Sequence, residues 1–411
     1  MKKSIWLINY NAMPPKLESR LRTIKFAHYL KQEGYNVKIF ASSIMHNKNI
    51  DLIEDKSKYI EKSYGDLDFV HIKSVMYNSN GFKRLLSIFL FHFRLHFISK
   101  KFEKPDVILH SGWPPFGNIT YFTARRMKCK YIVEVQDLWP ESFVTFGLVK
   151  RGNLLLKIAY WAEKWMYKKA DELVFTMEGG KDYIVSKKWD KANGGPIDLA
   201  KVHYINNGVD LQDFNYYRDN FKIEDNDLND DSIFKVIYLG SLGLANNVKR
   251  LIDAAACLQD HTNIKFLIYG DGDDRLFLEQ YVEENKLTNV IFKQKWIDPE
   301  YVPYVLSRSS LNMLNCFPND VFKYGGSQSK FFQYLASGKP ICSNIQMGYC
   351  QISKHNLGIA DIYNSSKEYA DAILSMAKLD KERYDEMCFR SRELSKEFDY
   401  KVLTNKMINL L

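Results

Sequence analysis

No apolar run in the sequence approaches the ~18 residues that a membrane-spanning helix needs. The amino terminus, MKKSIWLINYNAMPP, has two lysines but only a strand's length of apolar residues, too few for the core of a secretory signal. Cysteine is sparse. Its six residues (Cys129, Cys257, Cys316, Cys342, Cys350 and Cys388) are scattered and form no CxxC. That spacing argues against a disulfide framework and a zinc site, and reads as reduced thiols in a cytoplasmic protein. There is no short-period repeat and no low-complexity tract. A Walker A motif is also missing. SGKP at 337–340 has Gln333 where its first glycine belongs, and Pro340 follows the lysine.

What remains is an ordinary globular composition on a long chain. The 411 residues are 46% hydrophobic and 26% charged, enough for two domains. The net charge of +9 favours anionic partners such as phosphates, a membrane surface or nucleic acid. The basic residues are not interleaved with stacking aromatics as in a nucleic-acid reader, so no nucleic-acid partner is expected.

Apolar runs at 4–9, 36–42, 69–73, 106–111, 131–137 and 172–177 predict strands. Helical patterns at 18–33, 81–103, 116–127 and 153–169 alternate with them. The second half repeats this, with strands at 234–240, 264–270, 289–294 and 310–315 and helices at 247–259, 273–286, 299–308 and 328–336. Strand–helix–strand units imply parallel sheets. The expected architecture is α/β, with two Rossmann-like, doubly wound domains facing a cleft. The first covers 1–215 and the second 232–397, with a polar acidic hinge near 206–232. The segment 398–411 is expected to be a helix returning to the first domain. Ligands bind such sheets beyond the carboxyl ends of the strands.

Three loops at such positions carry the chemistry. YLGSLGLANN (238–247) runs from a strand through glycine to a helix start, where free N–H groups suit a phosphate. It is also an ordinary turn in form. YGDGDDR (269–275) resembles a dinucleotide fingerprint but has Arg275 for the third glycine and three aspartates nearby. It reads as a turn. In KYGGSQSKFFQYLASGKPI (323–341), Ser327 and Ser329 are candidate caps and Lys330 stands in the first helical turn. The helix dipole disfavours a lysine there unless an anion lies beside it. The alternative is a surface lysine.

This last helix resembles the donor-binding helix of glycosyltransferase family 4, whose members often read SPNKLFEYLAAGKPI. ESRLRTIKFAHYLKQEGYNVKIF (18–40), KVHYINNGVDLQDF (201–214), GSLGLANNVKRLIDAA (240–255) and LIYGDGDD (267–274) are similar to the family's other landmarks, in order. QDLWPES (136–142) resembles the DLWPE signature of a branch that works in O-antigen and capsule synthesis, including N-acetylfucosamine-type transferases. The resemblance covers nearly the whole chain. It implies a GT-B fold and a retaining, metal-independent reaction with no cofactor. The expected donor is a nucleotide sugar, most simply UDP-linked. Lys330, Gln333, Ser327, Ser329, Gly243, Asn246 and Gly270 are the expected donor-binding residues. The family often places two glutamates where this chain has Gly325 and Gln333, and an arginine and a lysine at Ser241 and Asn246. Gln136 stands where many members have a sugar-contacting histidine. These departures leave a catalytically degenerate scaffold as the competing reading, and a sugar-nucleotide epimerase as the nearest enzymatic one.

In this frame QDLWPES sits at a strand's carboxyl end. Asp137 and Glu141 are candidate catalytic carboxylates, Asp137 as a general base. Each has an alternative role, as a strand-end cap or a helix-start residue. Trp139 and Trp113, the latter in WPP, are expected to shape the acceptor site. Arg20 and Arg22 are candidates for gripping its phosphate, and the alternative for each is a solvated helix residue. FKRLLSIFLFHFRLHFISKKFEK (82–104) has six Lys or Arg against one Glu. It reads either as a buried helix or as a peripheral contact with the inner membrane face. The second reading suits a lipid-linked, polyprenyl pyrophosphate glycan acceptor.

Overall fold

The computed structural model describes residues 2–17, 21–45, 49–77, 81–145, 147 and 149–411. The chain divides into two units, Met1–Asn206 with Tyr400–Leu411, and Asn207–Asp399.

In the first unit the strands are β1 (Ser4–Ile8), β2 (Asn36–Ser42), β3 (Tyr59–Tyr64), β4 (Leu67–Ile72), β5 (Val107–Ser111), β6 (Lys130–Val135), β7 (Glu172–Phe175) and β8 (Val202–Tyr204). They form one sheet in the order β3-β4-β2-β1-β5-β6-β7-β8. The central strands are buried almost end to end, as a parallel sheet covered on both faces requires. β3 alone is antiparallel, pairing Tyr59 with Ile72. Its sequence, YIEKSY, is largely polar because it is an edge strand, so periodicity does not reveal it. Strand order reverses beside β1, which has β2 on one side and β5 on the other.

The second unit holds β9 (Phe234–Leu239), β10 (Ile264–Tyr269), β11 (Val290–Phe292), β12 (Leu311–Leu314), β13 (Ile341–Ser343) and β14 (Gly358–Ala360). All are parallel, in the order β11-β10-β9-β12-β13-β14. Here the reversal lies between β9's two neighbours, β10 and β12.

The division differs from the expected one. Residues 207–215 belong to the second unit, because Val209 and Phe214 pack with Leu306, Leu335 and Phe398 in one core cluster. The acidic stretch is no loose hinge either. Asp225 and Asp227 pair with Lys293, and Tyr304 donates to Asn229. The helix Tyr400–Ile408 lies in the first unit. Tyr400, Leu403 and Met407 join the core around Ile24 and Phe26.

Candidate functional site

In the second unit the relevant loops leave the carboxyl ends of β9 and β12, at the point where strand order reverses. The helix Ser329–Ser337 follows the β12 loop. Its apolar side, with Phe332, Tyr334 and Leu335, is buried and fixes the helix on the sheet. Gly338 ends it in the left-handed conformation, φ 65°.

That anchoring sets Lys330 over the β9 loop. Its ammonium donates to the Tyr238 hydroxyl and to Asn246 Oδ1, both at 2.9 Å. It also lies 4.5 Å from the centroid of the Tyr238 ring. Asn246 in turn donates to Ser241 Oγ at 2.8 Å. So Ser241 and Asn246 form a neutral bridge that orients the lysine. Among the described residues no carboxylate makes an ion pair with Lys330. Desolvation lowers its pKa to about 8.

Two glycines make this approach possible. A Cβ on Gly240, at φ 151°, would lie 2.6 Å from Lys330 Nζ, and one on Gly270, at φ 123°, would strike the Gly240 carbonyl. Leu242 N–H donates to Asp271 O, tying the same two loops together. Arg275 replaces the third glycine of the dinucleotide pattern for a structural reason. It is buried and donates to the Gly270 and Lys293 carbonyls and to Glu279. Asn315 donates to the Asn246 and Asn247 carbonyls and shapes the loop further. No motif marks it in the sequence.

The other expected donor residues divide. Gly243 starts the turn Leu244–Asn246, and a Cβ there would meet open space. Gln333 is half-buried, and Ser329 is exposed. Neither Ser327 nor Ser329 caps the helix. The cap position is Gln328, whose side chain makes no capping bond. Ser327 instead accepts from the Asn207 N–H at 2.8 Å and fastens the start of this unit. Lys249 is held by Asp253, and Arg250 donates to the Tyr363 carbonyl.

In the first unit, a pocket opens at the reversal beside β1. It is lined by Asn9, Thr23, Ser111 and Glu134, with Ile8 and Leu109 beneath. Glu134 is the acid that sequence reasoning missed. It lies inside the run KYIVEV, before Val135, and looks like a strand residue. It is buried, accepts from Arg22 Nε at 2.7 Å, and accepts from Gln136 and Ser111 at 2.6 and 3.2 Å. Arg22 departs from its expected role. It is buried and donates to Glu134 and to the Ile205 and Asn206 carbonyls, which commits its guanidinium to holding the sheet edge. Arg20 lies outside the described residues.

Asp137 stands exposed on the loop beyond β6. Glu141 does not. It is buried and is held by Lys187, Arg151 and the Tyr160 hydroxyl. Burial would raise its carboxyl, but these partners hold it below the ordinary value. Its expected catalytic role gives way to a structural one, because a carboxylate so enclosed anchors the loop. Trp113 and Trp139 come together, their ring centroids 5.6 Å apart, with Phe143 4.4 Å from Trp139 and Arg84 5.5 Å over Trp113. Among the described residues, no three His, Cys, Asp or Glu are grouped to hold a metal ion.

Two doubly wound units, each with its loops gathered where strand order reverses, define the GT-B fold. Solved structures share it. Sucrose-phosphate synthase from Thermosynechococcus elongatus matches at a TM-score of 0.70 and 15% identity, covering 100% of this chain and 98% of that one. Anabaena Alr3699/HepE, solved with UDP and glucose, matches at 0.66 and 13%, covering 99% of each. A UDP-forming alpha,alpha-trehalose-phosphate synthase from Burkholderia xenovorans matches at 0.73 and 10%, covering 100% and 98%. No curated protein matches the sequence. Residues 22–213 match the model described as Glycosyltransferase Family 4, and residues 219–390 the model described as Glycosyl transferases group 1. The chain belongs to the GT-B glycosyltransferases and is an enzyme of that class.

Proposed function

We propose that this glycosyltransferase takes a sugar from a UDP-linked donor and transfers it, with retention, to a lipid-linked oligosaccharide carried on polyprenyl pyrophosphate. The setting is the synthesis of a bacterial surface polysaccharide (O-antigen, capsule or exopolysaccharide) at the inner face of the cytoplasmic membrane. The helix Phe82–Ile98 contributes peripheral contact there.

One observation carries the donor assignment. Lys330 holds a desolvated ammonium among neutral partners in the first turn of a helix. Such a group gains from a dianion beside it, which relieves both desolvation and dipole repulsion. The UDP named for two structural relatives is an anion of this kind.

In the reaction the bond from the anomeric carbon to the diphosphate oxygen breaks, and the acceptor oxygen bonds on the same face. Lys330 stabilises the departing diphosphate, a contribution typically worth ~3 kcal/mol. Asp137 receives the acceptor hydroxyl's proton. Trp113 and Trp139 shape the acceptor site. No metal or cofactor is assigned a step.

The test is turnover of a panel of UDP-sugars with a polyprenyl pyrophosphate-linked glycan, followed by UDP release and by the anomeric configuration of the product. Release of UDP that depends on acceptor, with retained configuration, supports the proposal. UDP binding without transfer to any lipid-linked acceptor contradicts it.

A further inference from the structure

The helix Leu154–Lys169 begins at Asn153, whose side chain accepts from Leu155 N–H at 2.8 Å. It buries Leu156, Ala162, Met166 and Tyr167 in the first unit. A helix of this kind ordinarily turns a polar face to water. This one interleaves lysines there with large exposed apolar side chains. Leu154 is 70% exposed, Leu155 73%, Ile158 50% and Trp161 65%. Residues 154, 158, 161 and 165 follow the spacing of a single helical face, so both sides of the helix are apolar.

The face continues onto two neighbouring helices. Trp165 lies 5.8 Å from Phe122 and 5.1 Å from Tyr121, on the helix Ile119–Met127. Arg126 and Thr123 of that helix bond His96 of Phe82–Ile98. There Phe93 and Phe97, with centroids 5.0 Å apart, are exposed in turn. The charges are as one-sided as the apolar groups. The helices carry three, two and four Lys or Arg respectively, and their one carboxylate, Glu163, is fully buried. Several cations flank the aromatic rings directly. Lys169 lies 5.9 Å from the centroid of Trp165, and Lys100 5.7 Å from that of Phe97.

Exposed Trp, Phe, Leu and Ile among lysines, with no accessible acid on the three helices themselves and the adjoining Asp171 paired to Arg125, is the composition of a surface that rests in the headgroup region of an anionic bilayer. A protein partner needs no such uniform charge, and a soluble monomer rarely exposes so continuous an apolar area.

The geometry points to an anionic lipid bilayer as the partner of this three-helix face, with Leu154, Ile158 and Trp161 as its principal inserting side chains. The inference rests on the proposed use of a lipid-linked acceptor. It extends the membrane contact from Phe82–Ile98 to a helix that the sequence pattern does not single out.

The test is flotation of the full chain with vesicles of phosphatidylcholine alone, or with about one-third phosphatidylglycerol. The intact protein is expected to float only with the anionic vesicles and to be released by high salt. A Leu154→Ser/Ile158→Ser/Trp161→Ser variant should lose at least about tenfold in vesicle affinity. Lys164→Glu/Lys168→Glu should weaken binding while leaving the apolar face in place. UDP affinity, measured in parallel, reports the donor site separately and is expected to be unchanged in all variants. Loss of UDP binding by the intact protein would count against the proposed reaction and not against the face. The inference is overturned if the serine variant floats like the intact chain. It is equally overturned if the intact chain ignores anionic vesicles, or if the face instead holds two copies together in sedimentation velocity.

Discussion

Gly240 has no side chain because Lys330 occupies the space one would need. At φ 151°, a Cβ on Gly240 would stand 2.6 Å from the Lys330 ammonium. The β9 loop and the helix Ser329–Ser337 therefore meet at this pair, and the lysine is held where a diphosphate is proposed to bind.

Gly240→Ala should displace Lys330 from Tyr238 and Asn246. We expect UDP affinity to fall by about tenfold or more, because a charge-assisted bond to phosphate is lost. Gly243→Ala meets open space and should change UDP affinity far less. Calorimetric titration of the two variants tests the contrast. Equal losses would remove the steric argument.

The lowered pKa of Lys330 makes a pH prediction. In the free protein desolvation brings it to about 8, below its ordinary value. The folded protein therefore sheds this proton at lower pH than the unfolded chain, so this group's contribution to stability rises as pH increases from about 8 toward 10. A bound diphosphate favours the protonated form. UDP affinity should be greatest below pH 8 and decline above it, with proton uptake on binding. Lys330→Met should flatten the profile. A wild-type affinity constant from pH 7 to 9.5 would contradict the assignment.

Glu163 makes the opposite prediction for the first unit. Burial raises its pKa to about 8, even though the Tyr167 and Tyr183 hydroxyls donate to it at 2.8 and 2.9 Å. The folded state holds this proton where the unfolded chain has released it. Its contribution to stability should thus fall as pH rises from about 4.5 to about 8. Glu163→Gln should remove this slope and raise the melting temperature at pH 8. An unchanged slope in the variant would refute the prediction.

Asp137 and Glu141 stand four residues apart and should behave differently. Glu141→Gln leaves Lys187 without its ion-pair partner and should cost ~3 kcal/mol of stability. Asp137→Asn should leave stability and UDP affinity nearly unchanged while lowering turnover by about 10²-fold or more. Denaturant unfolding and steady-state rates for both variants distinguish the roles. Normal turnover in Asp137→Asn would reduce Asp137 to a loop residue.

What the sequence discloses follows from how each element is held. The central parallel strands are apolar along their length, and the helices between them keep a regular apolar stripe, so the middle of each sheet is legible. β3 is not, because its polar edge sequence follows from having one neighbour, and β8, β13 and β14 are not, because each is only three residues long. Lys330 is legible because a lysine in the first turn of a helix is anomalous in itself. Its neutral bridge through Asn246 and Ser241 is not, since those residues meet only when the β9 loop folds back. Glu134 and Arg22 pair across 112 positions. In sequence they look like a strand residue and a helix residue. Glu141 misleads for the same reason. In sequence nothing marks its carboxylate as taken, because Lys187, which encloses it, lies 46 positions away.

The central claim is that Lys330 binds the diphosphate of a nucleotide sugar. The most direct test is calorimetric titration of UDP into the wild-type chain and into Lys330→Ala, at pH 7 with chelator present. The account predicts saturable binding to the wild type and a loss of about tenfold or more in the variant, with the fold intact by melting temperature. Equal affinity in the two proteins, or no UDP binding by a folded wild type, would contradict it.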